Sequence, residues 1–440
     1  MIRHRTAIVA LLTGLNFLNY LDRYIVAAVL PPLMLELGLS NFEGGLLATV
    51  FLLGYFATSP LFGKLGDRLS RKKLIAFGVL TWSAATIASG LSNSLWTLLA
   101  ARAAVGIGEA SYATLAPTII DDVSPPDKKG KMMAIFFLAV PVGSALGFLL
   151  GGFIQARWGW RTAFFVGGGP GIVLSLLCLA IQEPVRTHLA DAKAKITQTA
   201  RTMFRVPLYR RAVLGYCAHT AAIGAFSFWA PTFISRHFLA DLSDPTKPNA
   251  AAQALKNANF TFGLITVVAG AIGTVIGGIM ADRALRGLPV IPEGASHDHV
   301  HNRMAANAQL KVCAIGVAIA FPLTAAAFLA PSAWLFFAFA GLAEVGLFLS
   351  TSPINLVLMR TVPAFMRASA MAVAIFSIHL LGDLWSPSVL GLSMDYLPIS
   401  LAMMLLPFGF AVATAVWWPR KHEGEAGPAG NLPPARLHAD

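Results

Sequence analysis

Apolar residues run together along most of this chain in long blocks, and the polar stretches between the blocks are short and carry most of the Lys and Arg. A helix needs about 20 mostly apolar residues to cross the hydrocarbon core of a bilayer. Such runs fall near 6–30, 43–64, 73–92, 95–121, 131–155 and 161–182, and then, past a polar stretch, near 211–237, 256–282, 308–330, 333–359, 367–393 and 398–418. In lipid the backbone must satisfy itself within the segment, so each run predicts a helix. The expected fold class is an all-α membrane protein with twelve transmembrane helices in two six-helix pseudo-repeats. Residues 1–182 form the first half, 183–210 a cytoplasmic linker, 211–418 the second half, and 419–440 a disordered cytoplasmic tail rich in Pro, Ala and Gly.

Composition agrees with lipid as the solvent: 440 residues, 56% hydrophobic, 12% charged, mean hydropathy +0.67. A net charge of +12 suggests nucleic acid at first sight, but the basic residues sit between apolar runs and form no single patch, so no nucleic-acid partner is expected. Numbering loops from a cytoplasmic start leaves five of the 33 Lys and Arg on the outer side (Arg157, Arg161, Arg236, Lys247, Lys256) and two inside spans, Arg23 and Arg102, with the rest inside. That bias places both termini in the cytoplasm. The linker, with Arg186, Lys193, Lys195, Arg201, Arg205 and Arg210 among Ile196, Met203 and Phe204, reads as a helix on the inner leaflet or as a solvated connection. The opening run continues to Leu30 through Asp22 and Arg23 without a small-residue cleavage site, and is expected to stay as a span. Cys178, Cys217 and Cys313 lie in or at the edge of apolar runs without metal spacing and are expected to be inert.

One short pattern repeats. The second run ends Gly63-Lys-Leu-Gly-Asp67-Arg68-Leu-Ser-Arg71-Lys72, and the eighth ends Gly278-Ile-Met-Ala-Asp282-Arg283. Runs four and ten echo each other more weakly, with Glu109 before Pro117 and Glu344 before Pro353. Parallel six-helix repeats place a solute site near the midplane between halves. The Gly63–Lys72 stretch resembles the signature loop between helices two and three of the major facilitator superfamily. The resemblance implies a conformational latch built from Gly63, Asp67, Arg68, Arg71, Asp121, Asp282 and Arg283, in which Arg68 or Arg71 reaches Asp121 or Asp122. The small-residue face of run five, Pro141-Val-Gly143-Ser144-Ala145-Leu-Gly147 and then Gly151-Gly152, allows close helix approach and resembles a superfamily motif common in antiporters. Gly167-Gly-Gly-Pro170 in run six reads as a bend.

An ionisable side chain inside a span costs several kcal/mol unless paired or hydrated, so each one is a functional candidate. They are Asp22, Arg23, Arg102, Glu109, Glu344 and Asp383. At 1.5 Å per residue, Asp22 and Arg102 lie roughly 10–12 Å from the outer ends of their spans and are placed to pair. Glu109, two turns beyond Arg102, reaches the midplane and is the proton-accepting candidate, with Asp22 and Arg23 beside it. Arg102 suits a carboxylate or phosphate head through its planar fork. One of Glu344 and Asp383, with His379 nearby, is expected to complete the site opposite Arg102 from the second half, and Tyr20, Tyr112, Phe226, Trp229 and Trp385 to line an apolar path. His219 reads as an interhelical donor rather than a ligand.

Three stretches resemble the Spinster family of lysolipid and sphingoid transporters. They are Asn19-Tyr-Leu-Asp22-Arg23; Arg102-Ala-Ala-Val-Gly106-Ile-Gly108-Glu109-Ala-Ser111-Tyr112 running to Ala116-Pro117-Thr118; and His379-Leu-Leu-Gly382-Asp383-Leu-Trp-Ser386-Pro387. The resemblance implies a secondary active, proton-coupled transporter working by alternating access on a lysophospholipid or sphingoid-phosphate-like solute, with a broad-specificity drug or organic-anion/proton antiporter as the alternative. It also implies no enzymatic activity. Short loops suggest a bacterial member in the inner membrane. The expected partners are the amphipathic or anionic solute, protons and membrane lipids, with a monomer as the working unit. No cofactor is expected: the chain lacks a Gly-x-x-x-x-Gly-Lys-[Ser/Thr] loop. Nor is a metal site, because His297, His299 and His301 sit in a polar connecting stretch.

Overall fold

A computed structural model describes residues 2, 4–125, 129–183, 196–244, 246–247, 249–286, 288, 297–362 and 366–419, leaving aside the side chains of Asp67, 129–131, Ala134, 196–199, 297–301 and Ala368. Residues 420–440 of the expected disordered tail and residues 184–195 of the linker lie outside the described residues, as do the side chains of His297, His299 and His301. Among the described residues the chain forms twelve membrane-spanning helices. Spans 1 to 6 are Arg5–Leu37, Asn41–Arg68, Arg71–Leu91, Leu95–Val123, Lys129–Trp158 and Trp160–Leu179. Spans 7 to 9 are Pro207–His237, Ala250–Arg286 and His297–Phe328, and spans 10 to 12 are Ala333–Arg360, Ser369–Tyr396 and Ile399–Trp417.

Ten of these helices are long and apolar enough to cross a membrane by composition alone. The other two are spans 1 and 4, which have the length but carry Asn16, Asn19, Asp22 and Arg23, and Arg102 and Glu109, at mid-helix. The spans with the weakest hydropathy are therefore those holding the candidate proton and anion groups. Ends are set locally. Gly38 closes span 1 at φ 64°, a left-handed conformation that glycine adopts without penalty, and Ser40 opens span 2 with a capping box to Glu43. Span 10 breaks between Phe348 and Thr351, and span 11 passes through a π-turn at His379–Asp383. Such turns interrupt the regular ladder and are frequent at functional sites.

The neighbour pattern repeats between halves. Span 1 packs on 5, 2 on 4, and 3 on both 4 and 6; in the second half 7 packs on 11, 8 on 10, and 9 on both 10 and 12. The halves meet symmetrically, span 5 on 8, span 2 on 11, and span 1 on 7. Ile2 pairs with Ile181, and Arg211 donates to the carbonyls of Val416 and Trp418, so both ends of the described chain lie at one end of the bundle. That end is called terminal here and the opposite end distal. A short helix, Ile196–Phe204, precedes span 7, and its Met203 is buried in the core of the second half.

Lipid offers no hydrophobic drive for helix pairing, so close approach through small residues replaces it. Span 5 meets the expectation: a Cβ at Gly147 would stand 2.6 Å from the Leu21 carbonyl oxygen of span 1. The Gly167–Pro170 stretch does not end or interrupt its helix, which continues from Trp160 to Leu179, and Gly168 instead packs against span 3. Gly147→Ala is expected to lower thermal stability in detergent, overpacking against backbone costing about 1–3 kcal/mol. Gly169→Ala, where an added Cβ meets nothing within 4 Å, should leave the melting curve in place.

Candidate substrate and proton site

Consecutive residues of a helix point about 100° apart, and this rotation splits Asp22 from Arg23. Asp22 is buried and turns into the first half, where its Oδ2 accepts a 2.5 Å hydrogen bond from Thr86 of span 3. Arg23 turns toward span 4, where its Nε donates to Glu109 Oε2 at 2.7 Å. Glu109 is fully buried, while 19% of the Arg23 side chain is exposed. Three rings wall the guanidinium, with centroids 5.0, 5.1 and 5.2 Å away on Tyr20, Phe51 and Tyr55. Cation–π contact of this kind is strongest where water is excluded.

Arg102 is buried and also lies over the Phe51 ring, 4.9 Å from its centroid. The expected Asp22–Arg102 ion pair does not form among the described residues; the ion pair of this cluster is Arg23–Glu109. Asp22 Oδ1, Glu109 Oε1 and Arg102 Nε and Nη1 are buried without a hydrogen-bond partner among the described residues. Two guanidiniums and two carboxylates thus share one interior, and their formal charges cancel. A proton added to either carboxylate leaves one positive charge uncompensated, which is what an anionic head requires.

In the second half, Glu344 is buried, accepts a 3.1 Å hydrogen bond from Thr266, and borders a small cavity lined by Phe226, Thr324, Phe328, Leu347 and Phe410. All these residues belong to spans of the second half, so of the two carboxylates offered for the site opposite Arg102, Glu344 is enclosed within its own half. Depth alone offered it for that site, whereas the facing of span 10 turns it inward. His379 and Asp383 do stand at the interface. They pair at 2.9 Å across the π-turn, and the His379 ring meets Phe56 of span 2 edge-on at 6.0 Å.

Of the expected aromatic path, Tyr20 lies beside Arg23 and remains partly exposed. Tyr112 is instead packing: it is fully buried between Trp82 and Phe136, and its hydroxyl donates to the Leu12 carbonyl. Phe226 packs on Phe262 and Phe328. Trp229 is buried with its indole N–H on the Pro387 carbonyl at 2.9 Å, joining span 7 to span 11, and half-exposed Trp385 donates to Leu380 along its own helix. His219 lies beside Ser350 at the span 10 break.

At the terminal end, Arg71 is buried and pairs with Asp122 at 2.7 Å. It also donates to Thr118, and the Arg71 backbone N–H and the Ser70 hydroxyl both donate to Glu183. Asp121 has an interaction of its own, Arg68, Asp282 and Arg283 are exposed, and the Asp67 side chain lies outside the described residues. A Cβ at Gly63 would make only an ordinary contact, 3.7 Å from Thr114. Sequence reasoning missed Glu183, Thr86, Thr266, Phe51 and Tyr55. The signal available for the threonines was a hydroxyl at the depth of an intramembrane carboxylate on a neighbouring span.

Removing one partner of a buried pair leaves a charge without compensation, at a cost of about 3–5 kcal/mol, whereas replacing both by apolar groups is often close to neutral. Arg23→Leu and Glu109→Leu are each expected to lower thermal stability more than the double variant does, as read by a thermal double-mutant cycle in detergent.

The model of the Major Facilitator Superfamily matches residues 12–387. Protein spinster of Drosophila melanogaster is 32% identical over 395 residues, covering 87% of this chain, which spans 61% of that protein's length. Protein spinster homolog 1 of Homo sapiens is 34% identical over 405 residues, covering 89% of this chain and 73% of that protein. The probable sphingolipid transporter spinster homolog 1 of Arabidopsis thaliana is 28% identical over 439 residues, covering 88% and 82%. The fold is shared with a crystal structure of a bacterial homologue of the human lysosomal transporter Spinster in an inward-facing, occupied conformation, with TM-score 0.78, 21% identity, and 95% and 97% of the two chains covered. With its paired six-helix halves and its motifs in spans 1, 4 and 11, this chain belongs to the Major Facilitator Superfamily and, within it, to the Spinster family.

Proposed function

We propose that this protein is a proton-coupled, alternating-access transporter of a lysophospholipid or sphingoid-phosphate-like solute in a bacterial inner membrane, working as a monomer with both termini in the cytoplasm. The observation that carries the reading is the charge-balanced cluster of Asp22, Arg23, Arg102 and Glu109. Glu109 holds Arg23 at 2.7 Å, and Arg23 is the partly exposed member of that pair. A proton on Glu109 removes the charge that binds Arg23 and releases the guanidinium toward a phosphate or carboxylate, which it suits through two parallel hydrogen bonds. Arg102, buried over Phe51, keeps the interior positive once the proton is on. Arg23 therefore takes the anchoring role that the sequence pattern gave to Arg102, and Asp22 with Thr86 forms a second carboxylate within the same balance.

His379 and Asp383 lie on span 11 at the interface between the halves, His379 against Phe56 of span 2, and serve in this reading as the second half's part of the site. An imidazole and a carboxylate there suit the amine or ammonium of a zwitterionic head, and the apolar surfaces of both halves suit its tail. The relative from Arabidopsis thaliana, by its name a probable sphingolipid transporter, supports an amphipathic cargo. The surplus of Lys and Arg at the terminal end supports the cytoplasmic assignment of that end. Arg71, Asp122 and Glu183 hold the loop between spans 2 and 3 against spans 4 and 6, and act in this reading as the cytoplasmic latch, in which Asp67, Asp282 and Arg283 remain proposed members.

The test is uptake of a labelled lysophospholipid into proteoliposomes under an imposed pH gradient. Gradient-driven uptake is expected in the parent protein. In Glu109→Gln it should fall to the level without a gradient, while exchange of cargo across the membrane continues. Uptake that still follows the gradient in Glu109→Gln removes this residue from coupling. Parent protein that moves cationic dyes in preference to the lysolipid moves the assignment to a drug/proton antiporter.

A further inference from the structure

The first N–H groups of a helix have no partner inside it and must be capped from elsewhere. Span 2 is capped from two places at its distal end. The local part is Ser40, whose Oγ accepts from the Glu43 N–H at 3.2 Å while Glu43 Oε2 accepts from the Ser40 N–H at 2.8 Å. The N–H groups of Asn41 and Phe42 go across the molecule. They donate to Oδ1 and Oδ2 of Asp395 at 2.8 and 2.9 Å, and the Asn41 side-chain amide donates to Oδ1 at 2.8 Å. Asp395 stands at the distal end of span 11, so the cap belongs to the opposite half.

We propose that Asp395 is a latch for the distal gate, a carboxylate that caps span 2 only while the two halves are closed at that end. The surrounding contacts fix the geometry. A Cβ at Gly45 would stand 2.5 Å from the Pro387 carbonyl oxygen, so the two backbones touch directly. One turn deeper, Thr49 donates to the Leu384 carbonyl and shares a hydrogen bond with Ser388, both at 2.7 Å. When spans 2 and 11 separate, the Asn41 and Phe42 N–H groups lose a charged acceptor and return to water, and the positive end of the helix loses its counter-charge. Opening the distal side therefore carries the cost of this cap, and the resting balance leans toward the distal-closed state. This assignment does not depend on cargo or on proton coupling.

The experiment reads the rate of maleimide modification of a Met34→Cys reporter in the full-length protein. Met34 is 4% exposed where spans 1, 2 and 7 meet, so its reactivity follows opening of the distal gate. The native cysteines are buried, and the parent chain without the reporter sets the background. Loss of a helix cap is worth roughly fivefold in an equilibrium, so Asp395→Ala should raise the modification rate about that much, and Asp395→Asn, which keeps one acceptor oxygen, by less. Ser40→Ala removes the local half of the same cap and should leave the rate near that of the parent. An unchanged rate in folded Asp395→Ala and Asp395→Asn overturns the proposal. So does an equal rise in Ser40→Ala, which would mean that the helix end frays without any role for the opposite half.

Discussion

Two carboxylates and two guanidiniums inside one six-helix half are tolerable in a bilayer only because their charges cancel over a short distance, and the arrangement around them follows from keeping that balance. Arg23 and Glu109 compensate each other directly, Asp22 draws on a threonine hydroxyl, and Arg102 on the face of Phe51. A cluster balanced in this way responds strongly to a single added proton or anion, because the interior has little water to screen the difference. Spans 1 and 4 accept a lower hydropathy than the remaining spans to hold it. The remaining spans, apolar enough by themselves, anchor the bundle in lipid.

The contacts between halves follow a two-fold pattern, span 2 on 11 matched by span 5 on 8, with span 1 on 7 between them. They combine close backbone approach, as at Gly45 against Pro387, with aromatic pairs, Phe148 on Phe262 between spans 5 and 8 and Phe56 on Phe376 between spans 2 and 11. Asn259 of span 8 also donates to the Ala28 carbonyl of span 1 at 3.0 Å. Within the halves, apolar clusters gather around Trp82 and Tyr112 in the first and around Tyr209, Phe410 and Trp417 in the second, and a third cluster holding Phe148, Phe226 and Phe262 joins them. The polar contacts at the two ends have different reach. Arg71, Asp122 and Glu183 lie within one half, while Asp395 and Asn41 bridge the two.

Much of this was legible in the residues alone. Runs of apolar residues long enough to span a bilayer can hardly do anything else in water or lipid, so the twelve spans, the paired halves and the identity of the buried charges followed from the sequence. The repeated Gly-x-x-x-Asp-Arg pattern and the motifs of spans 1, 4 and 11 pointed to the superfamily and to the Spinster family, and the matches to known members agree.

Pairing was not legible. Sequence depth puts Asp22 and Arg102 at one level and Glu344 opposite them, but depth is one coordinate, and which way a side chain faces depends on helix rotation and on what each neighbouring span presents. Rotation sent Asp22 to Thr86 and Arg23 to Glu109, and enclosed Glu344 within its own half against Thr266. The split cap of span 2 was hidden for the same reason, since Asn41 and Asp395 are distant in the chain and meet only where the halves close. The sequence by itself determined which segments span the membrane, which ionisable residues fall inside the spans and how the chain repeats, because those depend on local hydropathy. Only the tertiary structure decided which charges compensate each other and which contacts cross between halves, because those depend on the packing angles of twelve helices at once.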